Sequence, residues 1–137
     1  MIIRTVRGNI FTSGLGHIAF GVNAEGHNHE GFAGMVSRTY WHALGHTGQK
    51  NLGETLSHQS GDRTFHALVC HYARPGGFSQ TPTVITQCLD ALSIPVGEDL
   101  ACVMVGGGPL GQALGADTGA ILEGIKRSQK RVVVYSL

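Results

Sequence analysis

The stretch from residue 100 to residue 137 constrains the fold more than any other part of this chain. An apolar run at 100–105 leads into Gly106, Gly107 and Gly108, and a helical pattern and the β-branched run 131–137 follow. A strand that ends in glycines and continues into a helix is a common anion site in α/β proteins, because bare backbone N–H groups and the helix N-terminus both favour negative charge. The pattern predicts a loop that binds a phosphorylated small molecule, and a glycine turn without a ligand is the alternative.

Strand and helix patterns alternate along the rest of the chain. Apolar and β-branched runs predict an edge strand followed by a short extended piece over 2–11, and strands at 17–24 and 64–71. Residues 56–60 could also run as a strand. Apolar residues at helical spacing predict helices at 31–45, 81–92 and 117–129. We therefore expect a single domain over residues 1–137, with an α/β fold of three layers, αβα, around a central mixed sheet.

Composition excludes several classes of protein. The formal net charge is +1 and basic residues form no continuous stripe, so we expect no direct nucleic-acid binding. Apolar runs fall short of the ~20 residues of a membrane span, and the first residues lack a signal-peptide pattern, so we expect no membrane partner and a cytoplasmic location. Cys70, Cys88 and Cys102 stand in apolar surroundings and are expected to be buried thiols. No cofactor is expected.

Four short motifs occur in an order that resembles a macrodomain. They are Gly-Asn-Ile-Phe at 8–11, the buried strand at 18–24, Gly-Phe-Ala at 31–33 and the three glycines at 106–108. The resemblance covers nearly the whole chain and is closest to macrodomains that bind or remove terminal ADP-ribose, including DNA ADP-ribosyl glycohydrolase antitoxins. It implies an ADP-ribose cleft at the carboxyl ends of the central strands.

The same resemblance implies which residues contact the ligand. An acidic residue holds the adenine amino group in that family; Asn9 stands at this position, and its side-chain carbonyl can accept the same hydrogen bond without a charge. The loop that wraps the diphosphate corresponds to 31–33, with Glu30 directly before it. The expected ligand contacts are Asn9, Ile10, Asn23, Gly31, Phe32, Ala33, Gly106, Gly107, Gly108, Pro109, Leu110 and Gly111.

Catalysis cannot follow the route of the lysine-dependent members of the family. Where they have a lysine at the end of a strand this chain has His71 or Tyr72, and where they have an acid in the second loop it has Leu110. An imidazole cannot form the imine that a lysine forms with an opened sugar. His71 is therefore the candidate catalytic residue, as a general base, if the protein hydrolyses its ligand.

Three functions remain open at this point. The chain binds an ADP-ribose-like small molecule or an ADP-ribosylated macromolecule as a reader or sequestering protein. Alternatively, it hydrolyses ADP-ribosyl linkages through His71 or a histidine-bound metal. The third option is a regulatory interaction domain with a degenerate nucleotide cleft.

Two further sets of residues need an interpretation. His27 and His29 flank Asn28, and we expect this spacing to place them on opposite faces. No third ligand stands at a helical spacing, so we expect an exposed or hydrogen-bonded pair and no metal. A lone tryptophan on an amphipathic helix is usually core, which we expect for Trp41. Phe78 follows a strand in a glycine-bounded loop and is a candidate for stacking on a base.

Overall fold

The computed structural model describes residues 1–136 and contains a six-stranded sheet. The strands are β1 (Ile2–Arg7), β2 (His17–Asn23), β3 (Thr55–Ser60), β4 (Arg63–His71), β5 (Leu100–Val103) and β6 (Val132–Ser136). Their order is β1-β6-β5-β2-β4-β3, and every neighbouring pair is parallel except β3 and β4. The predicted mixed sheet is confirmed.

Helices cover both faces of the sheet because the central strands are apolar on both sides. The helices are α1 (Gly31–Thr39), α2 (Thr81–Asp90), α3 (Pro109–Ala113) and α4 (Thr118–Arg127). On one face, Val36 of α1 and Trp41 pack with Phe65 of β4. On the other face, Ile85 of α2 and Ile121 of α4 pack over the sheet. This arrangement confirms the three-layer αβα fold.

A glycine sets the distance between α2 and α4. A Cβ on Gly124 would overlap the carbonyl oxygen of Pro82 and would lie 2.6 Å from Cγ2 of Ile85. The hydroxyl of Thr86 donates a hydrogen bond of 2.6 Å to the Gly124 carbonyl. The two helices therefore touch backbone to backbone at this point.

The helix predicted at 31–45 is shorter in the structure. It ends at Thr39, and a separate 3-10 turn runs over His42–His46. The indole of Trp41 is buried and stacks on His58 of β3, with ring centroids 5.3 Å apart. Packing of Trp41 against the sheet thus ends a helix that local periodicity would extend. The expectation that Trp41 belongs to the core is confirmed.

Other element boundaries also differ from the prediction. Strand β1 ends at Arg7, and a 3-10 turn at Ile10–Thr12 replaces the extended piece expected there. The helix directly after the glycine loop, α3, has only five residues. Leu137, predicted as the end of the last strand, lies outside the described residues.

The three cysteines are free and buried, as predicted. Burial raises the pKa of Cys88 and that of Cys102 to about 12, so these thiols stay protonated and pack as small apolar groups. Among residues 1–136, none of the helices has the length and apolar character needed to cross a bilayer.

Candidate functional site

Four loops meet at one edge of the sheet. The five parallel strands all point the same way, so the segments that follow β1, β2, β4 and β5 leave from their carboxyl ends together. In open α/β sheets, ligands bind in the crevice outside the carboxyl ends of the strands, where the connecting loops supply the contacts. We call it the carboxyl edge, and it carries the glycine loop, the start of α1, Asn9 and His71.

The glycine loop at 106–108 is held by tight backbone packing. Gly106 has φ +75°, and a Cβ there would lie 2.6 Å from the Cβ of Ala116. A Cβ on Gly111 would lie 2.6 Å from the Cα of Gly106, and the side-chain Nε2 of Gln112 donates to the Gly106 carbonyl at 2.9 Å. The fold therefore requires glycine at 106 and 111.

Gly108 differs from these neighbours. Its φ is −84°, an ordinary value for any residue, and a Cβ built on it would have no described heavy atom within 4 Å apart from those of its chain neighbours. It is exposed and immediately precedes Pro109, the first residue of α3. Leu110, two residues after Gly108, is half exposed, which is unusual for a large apolar side chain in this structure. Packing within the described residues explains neither the glycine at 108 nor the exposed leucine.

The start of α1 presents free backbone donors. The first N–H groups of any helix have no partner within it, and the first turn of α1 has no acidic side chain. Gly31 adopts φ +61°, which favours glycine. The ring of Phe32 packs on Phe11 and Phe20, with centroids 5.8 and 5.4 Å away, and Ala33 is buried. The backbone of this turn is thus free to contact a ligand, and the Phe32 ring is partly exposed beside it.

Asn9 occupies the end of the sheet beside β6. It is exposed, and its Oδ1 accepts a hydrogen bond of 2.9 Å from the Phe11 N–H, which caps the short turn that begins at Ile10. One lone pair of this oxygen and both amide hydrogens remain available. Ile10 itself is buried under the turn, so its contribution to a site is limited to its backbone.

Asn23 at the end of β2 organises the following loop. Its Oδ1 accepts from the N–H groups of Gly26 and His27, and its Nδ2 donates to the His27 carbonyl at 2.9 Å. The backbone N–H of Asn23 donates to Oδ1 of the buried Asn28 at 3.0 Å. The side chain of Asn23 is therefore largely engaged in holding this loop in place.

His71 is the last residue of β4 and is partly buried. Its ring stacks on Phe78 with centroids 4.2 Å apart and planes inclined by 11°. Burial lowers the pKa of His71, and a backbone contact with Tyr72 and the charge of Glu25 oppose that effect. Phe78 is buried in the core, so it is not the stacking platform that the sequence suggested.

A cavity of about 470 Å³ opens beside the ends of β2 and β4. Lys50 and Arg74 line it with Glu25, whose carboxylate accepts hydrogen bonds from the Ala73 N–H. Two cations beside an already satisfied carboxylate favour a negatively charged ligand.

Three exposed imidazoles meet in the same region. His27 and His29, from the loop after β2, and His46, from the 3-10 turn, each bring a ring nitrogen to within 4.8 Å of the others. Sequence reasoning missed His46, because it lies 17 residues beyond His29 and no local spacing connects them. The assumption that His27 and His29 face opposite ways was wrong, since residues two apart in an extended segment share a side.

A second polar network lies at the opposite, amino edge. Ser57 Oγ is 2.7 Å from His66 Nδ1, His66 Nε2 is 3.0 Å from His17 Nδ1, and His17 Nε2 is 3.3 Å from Glu98. A carboxylate only accepts hydrogen bonds, so with both rings in the neutral form Ser57 donates to His66, His66 to His17 and His17 to Glu98. Burial, and to a lesser extent the charge of His17, lowers the pKa of His66 to about 4.

The cavity at the amino edge is slightly larger, about 520 Å³. Its charged lining includes Asp62, Glu98 and Asp99. Asp99 pairs with Arg131 at 2.8 Å, and the remaining carboxylates make this cavity unfavourable for an anionic ligand.

Comparison with known proteins adds information about the fold. No family model matches the sequence, and none of the curated proteins matches it. Among solved structures, a protein of unknown function from Bacteroides thetaiotaomicron is similar over 100% of this chain and 98% of its own, with a TM-score of 0.72 and 15% identity.

Several similar structures are described as macrodomains. The macrodomain of Mycobacterium tuberculosis DarG has a TM-score of 0.68 and 16% identity, over 100% of this chain and 98% of that one. The Trypanosoma brucei macrodomain, solved in complex with ADP, has a TM-score of 0.63 and 14% identity, over 96% of this chain and 62% of that one. The sheet order, the helices on both faces and these similarities agree, and this chain has the macrodomain fold.

Proposed function

We propose that this chain binds ADP-ribose, or a related ligand derived from an adenine dinucleotide, at the carboxyl edge of its sheet. In this proposal the protein acts as a reader or sequestering protein, and its target is the free nucleotide or an ADP-ribosylated macromolecule. The observation that carries the proposal is Gly108, a glycine for which residues 1–136 provide no packing reason. The macrodomain fold and the neighbour solved with ADP support it.

The diphosphate is assigned to the glycine loop and to the start of α1. Close approach of a phosphate requires the absence of a side chain, and Gly108 meets that requirement at the end of β5. The nine-residue helix α1 adds its free N–H groups and the positive end of its dipole. Glu30 is exposed and can turn toward solvent, which removes its charge from the anion.

The adenine is assigned to Asn9. The exposed amide of Asn9 retains a free lone pair for the adenine amino group and donors for a ring nitrogen. Leu110, half exposed beside Gly108, supplies apolar surface that a bound sugar or base would cover.

Substitution of Gly108 tests this assignment. We expect Gly108→Val to retain the fold, because its φ of −84° suits any residue and a Cβ there meets no described neighbour. Its side chain would occupy the space of the phosphate and raise the Kd for ADP-ribose by at least about 100-fold, or ~2.7 kcal/mol. Calorimetric titration measures the Kd, and circular dichroism checks the fold.

Gly16→Ala is the matched control at the amino edge, where a Cβ would have one ordinary contact, 3.6 Å from the Asp62 carbonyl. It should bind as the wild type does. Unchanged affinity in Gly108→Val would remove the glycine loop from the site. A wild type that fails to bind ADP-ribose would leave the degenerate interaction domain as the function.

Hydrolysis through His71 is the second candidate function, and the state of its ring favours it. Its lowered pKa keeps the imidazole neutral at pH 7, as a general base requires. The Nδ1 atom faces the Tyr72 carbonyl at 3.4 Å, so a proton on Nδ1 leaves Nε2 free to accept one from water. Release of ADP-ribose from an ADP-ribosylated substrate, lost in His71→Ala, would support this function.

A further inference from the structure

The three imidazoles at the carboxyl edge form a compact group. The rings of His29 and His46 have centroids 5.1 Å apart, and those of His27 and His29 are 6.3 Å apart. Each offers a nitrogen within 4.8 Å of the other two. A tetrahedral zinc ion with Zn–N bonds of about 2.0–2.1 Å separates its ligand nitrogens by about 3.4 Å. Each ligand nitrogen therefore needs to move by no more than about 1 Å to share one ion.

The loop that carries His27 and His29 is fixed from inside the protein. Asn28, between them, is buried and accepts the hydrogen bond from the backbone N–H of Asn23. The side chain of Asn23 accepts a hydrogen bond from the His27 N–H and donates one to the His27 carbonyl. With Asn28 anchored inward, both imidazoles point outward on one side.

Close backbone packing joins the second segment to this loop. A Cβ on Gly26 would overlap the backbone of Gly48, two residues after His46. A Cβ on Gly45 would lie 3.5 Å from the His29 ring, and the guanidinium of Arg38 donates to the His29 carbonyl at 3.0 Å. The positions of all three histidines are thus set by the fold, and only rotation of their side chains remains.

We propose that His27, His29 and His46 bind a zinc ion, or a similar divalent transition metal, and leave one coordination position open. Three neutral imidazoles are typical ligands for zinc and its neighbours, whereas calcium and magnesium take oxygen ligands. All three side chains are exposed, so the fourth position is accessible to water or to a ligand oxygen. A three-histidine site with an open position resembles catalytic zinc centres more than structural ones.

The place of the group suggests what the open position receives. His29 is two residues before Gly31, the first residue of α1, where we assign the diphosphate. A metal here would add positive charge next to that turn and could take an oxygen of the nucleotide or polarise a water. This last role rests on the proposed function; metal binding itself does not.

Zinc titration of the protein tests the site directly. The protein should carry no polyhistidine tag and should first be stripped with a chelator. We expect one zinc ion per chain by calorimetry and, with Co²⁺, visible absorption bands of a tetrahedral site. His27→Ala, His29→Ala and His46→Ala should each lower zinc affinity by about 10-fold or more.

His42→Ala is the matched control, since His42 is exposed on the same 3-10 turn but is outside the group. It should bind zinc as the wild type does. The proposal is overturned if the wild type does not bind one equivalent, or if the three variants bind as His42→Ala does. Thermal unfolding of every variant confirms that a loss of zinc binding is not a loss of fold.

Two titrations with ADP-ribose, one in the presence of chelator and one in the presence of zinc, keep the two proposals separate. Nucleotide binding without zinc binding overturns only the metal site. Zinc binding without nucleotide binding overturns only the proposed function. Binding of both, with a Kd for ADP-ribose that zinc lowers, places the metal beside the nucleotide.

Discussion

Acid should destabilise this protein through His66 at the amino edge. The ring is buried, hydrogen-bonded to Ser57 and His17, and has a pKa of about 4 in the folded state. An unfolded chain has a histidine pKa of ~6.5. Between these values the unfolded state binds more protons than the folded state, so the free energy of unfolding decreases as the pH is lowered from about 6.5 to about 4.

The size of the effect follows from the two pKa values. Between pH 7 and pH 5 the linkage relation gives a loss of about 2 kcal/mol from His66, and about 3 kcal/mol by pH 4. Urea unfolding at pH 7 and pH 5 measures the total loss, to which other groups contribute. His66→Gln removes the titrating ring and retains a donor for His17, so the same measurement on this variant isolates the share of His66.

We expect the wild type to lose about 2 kcal/mol more than His66→Gln between pH 7 and pH 5. The slopes of the urea transitions should agree between the two proteins, which shows that unfolding exposes the same surface. Equal losses in both proteins would refute the argument, because His66 would then titrate alike in the folded and unfolded states.

Three further substitutions have defined outcomes. Gly124→Ala should lower the free energy of unfolding by at least about 2 kcal/mol, because its Cβ would overlap the Pro82 carbonyl. Gly119→Ala, in the same helix, has only ordinary contacts, so it should be neutral or stabilising by up to ~1 kcal/mol. Urea unfolding measures both. If the protein is a hydrolase, His71→Ala should reduce turnover by ~10²–10⁴-fold with little change in affinity, and full turnover would exclude His71 as the base. Asn9→Asp should strengthen the binding of adenine-containing ligands by about 1 kcal/mol, because a carboxylate accepts a stronger hydrogen bond and the site is exposed. If the preference for ADP-ribose over its hypoxanthine counterpart is unchanged in this variant, residue 9 does not contact the base.

The sequence predicted the centre of the fold better than its edges. Strands β2 and β4 are continuous apolar runs because both faces are covered, and this signal is local. The position at which α1 ends has no local signal, because it depends on the packing of Trp41 against His58 of β3. The helical spacing of apolar residues over 31–45 does not indicate that contact.

The candidate site was predictable in part for the same reason. The glycines at 106–108 follow a strand directly, so their place at the carboxyl edge could be inferred from order alone. That Gly106 serves packing while Gly108 does not becomes clear only when the position of Ala116 is known. The meeting of His46 with His29 and the burial of Phe78 likewise depend on distant segments.

The packing of Gly106 has a consequence for observing the ligand. A Cβ at this position would lie 3.5 Å from Cε1 of Phe78, and the Phe78 ring stacks on His71. A displacement of the glycine loop toward Phe78 would shift that ring and so change the ring current felt by the His71 protons. The imidazole of His71 can therefore serve as a built-in NMR reporter of events at the loop, in a protein that carries no label.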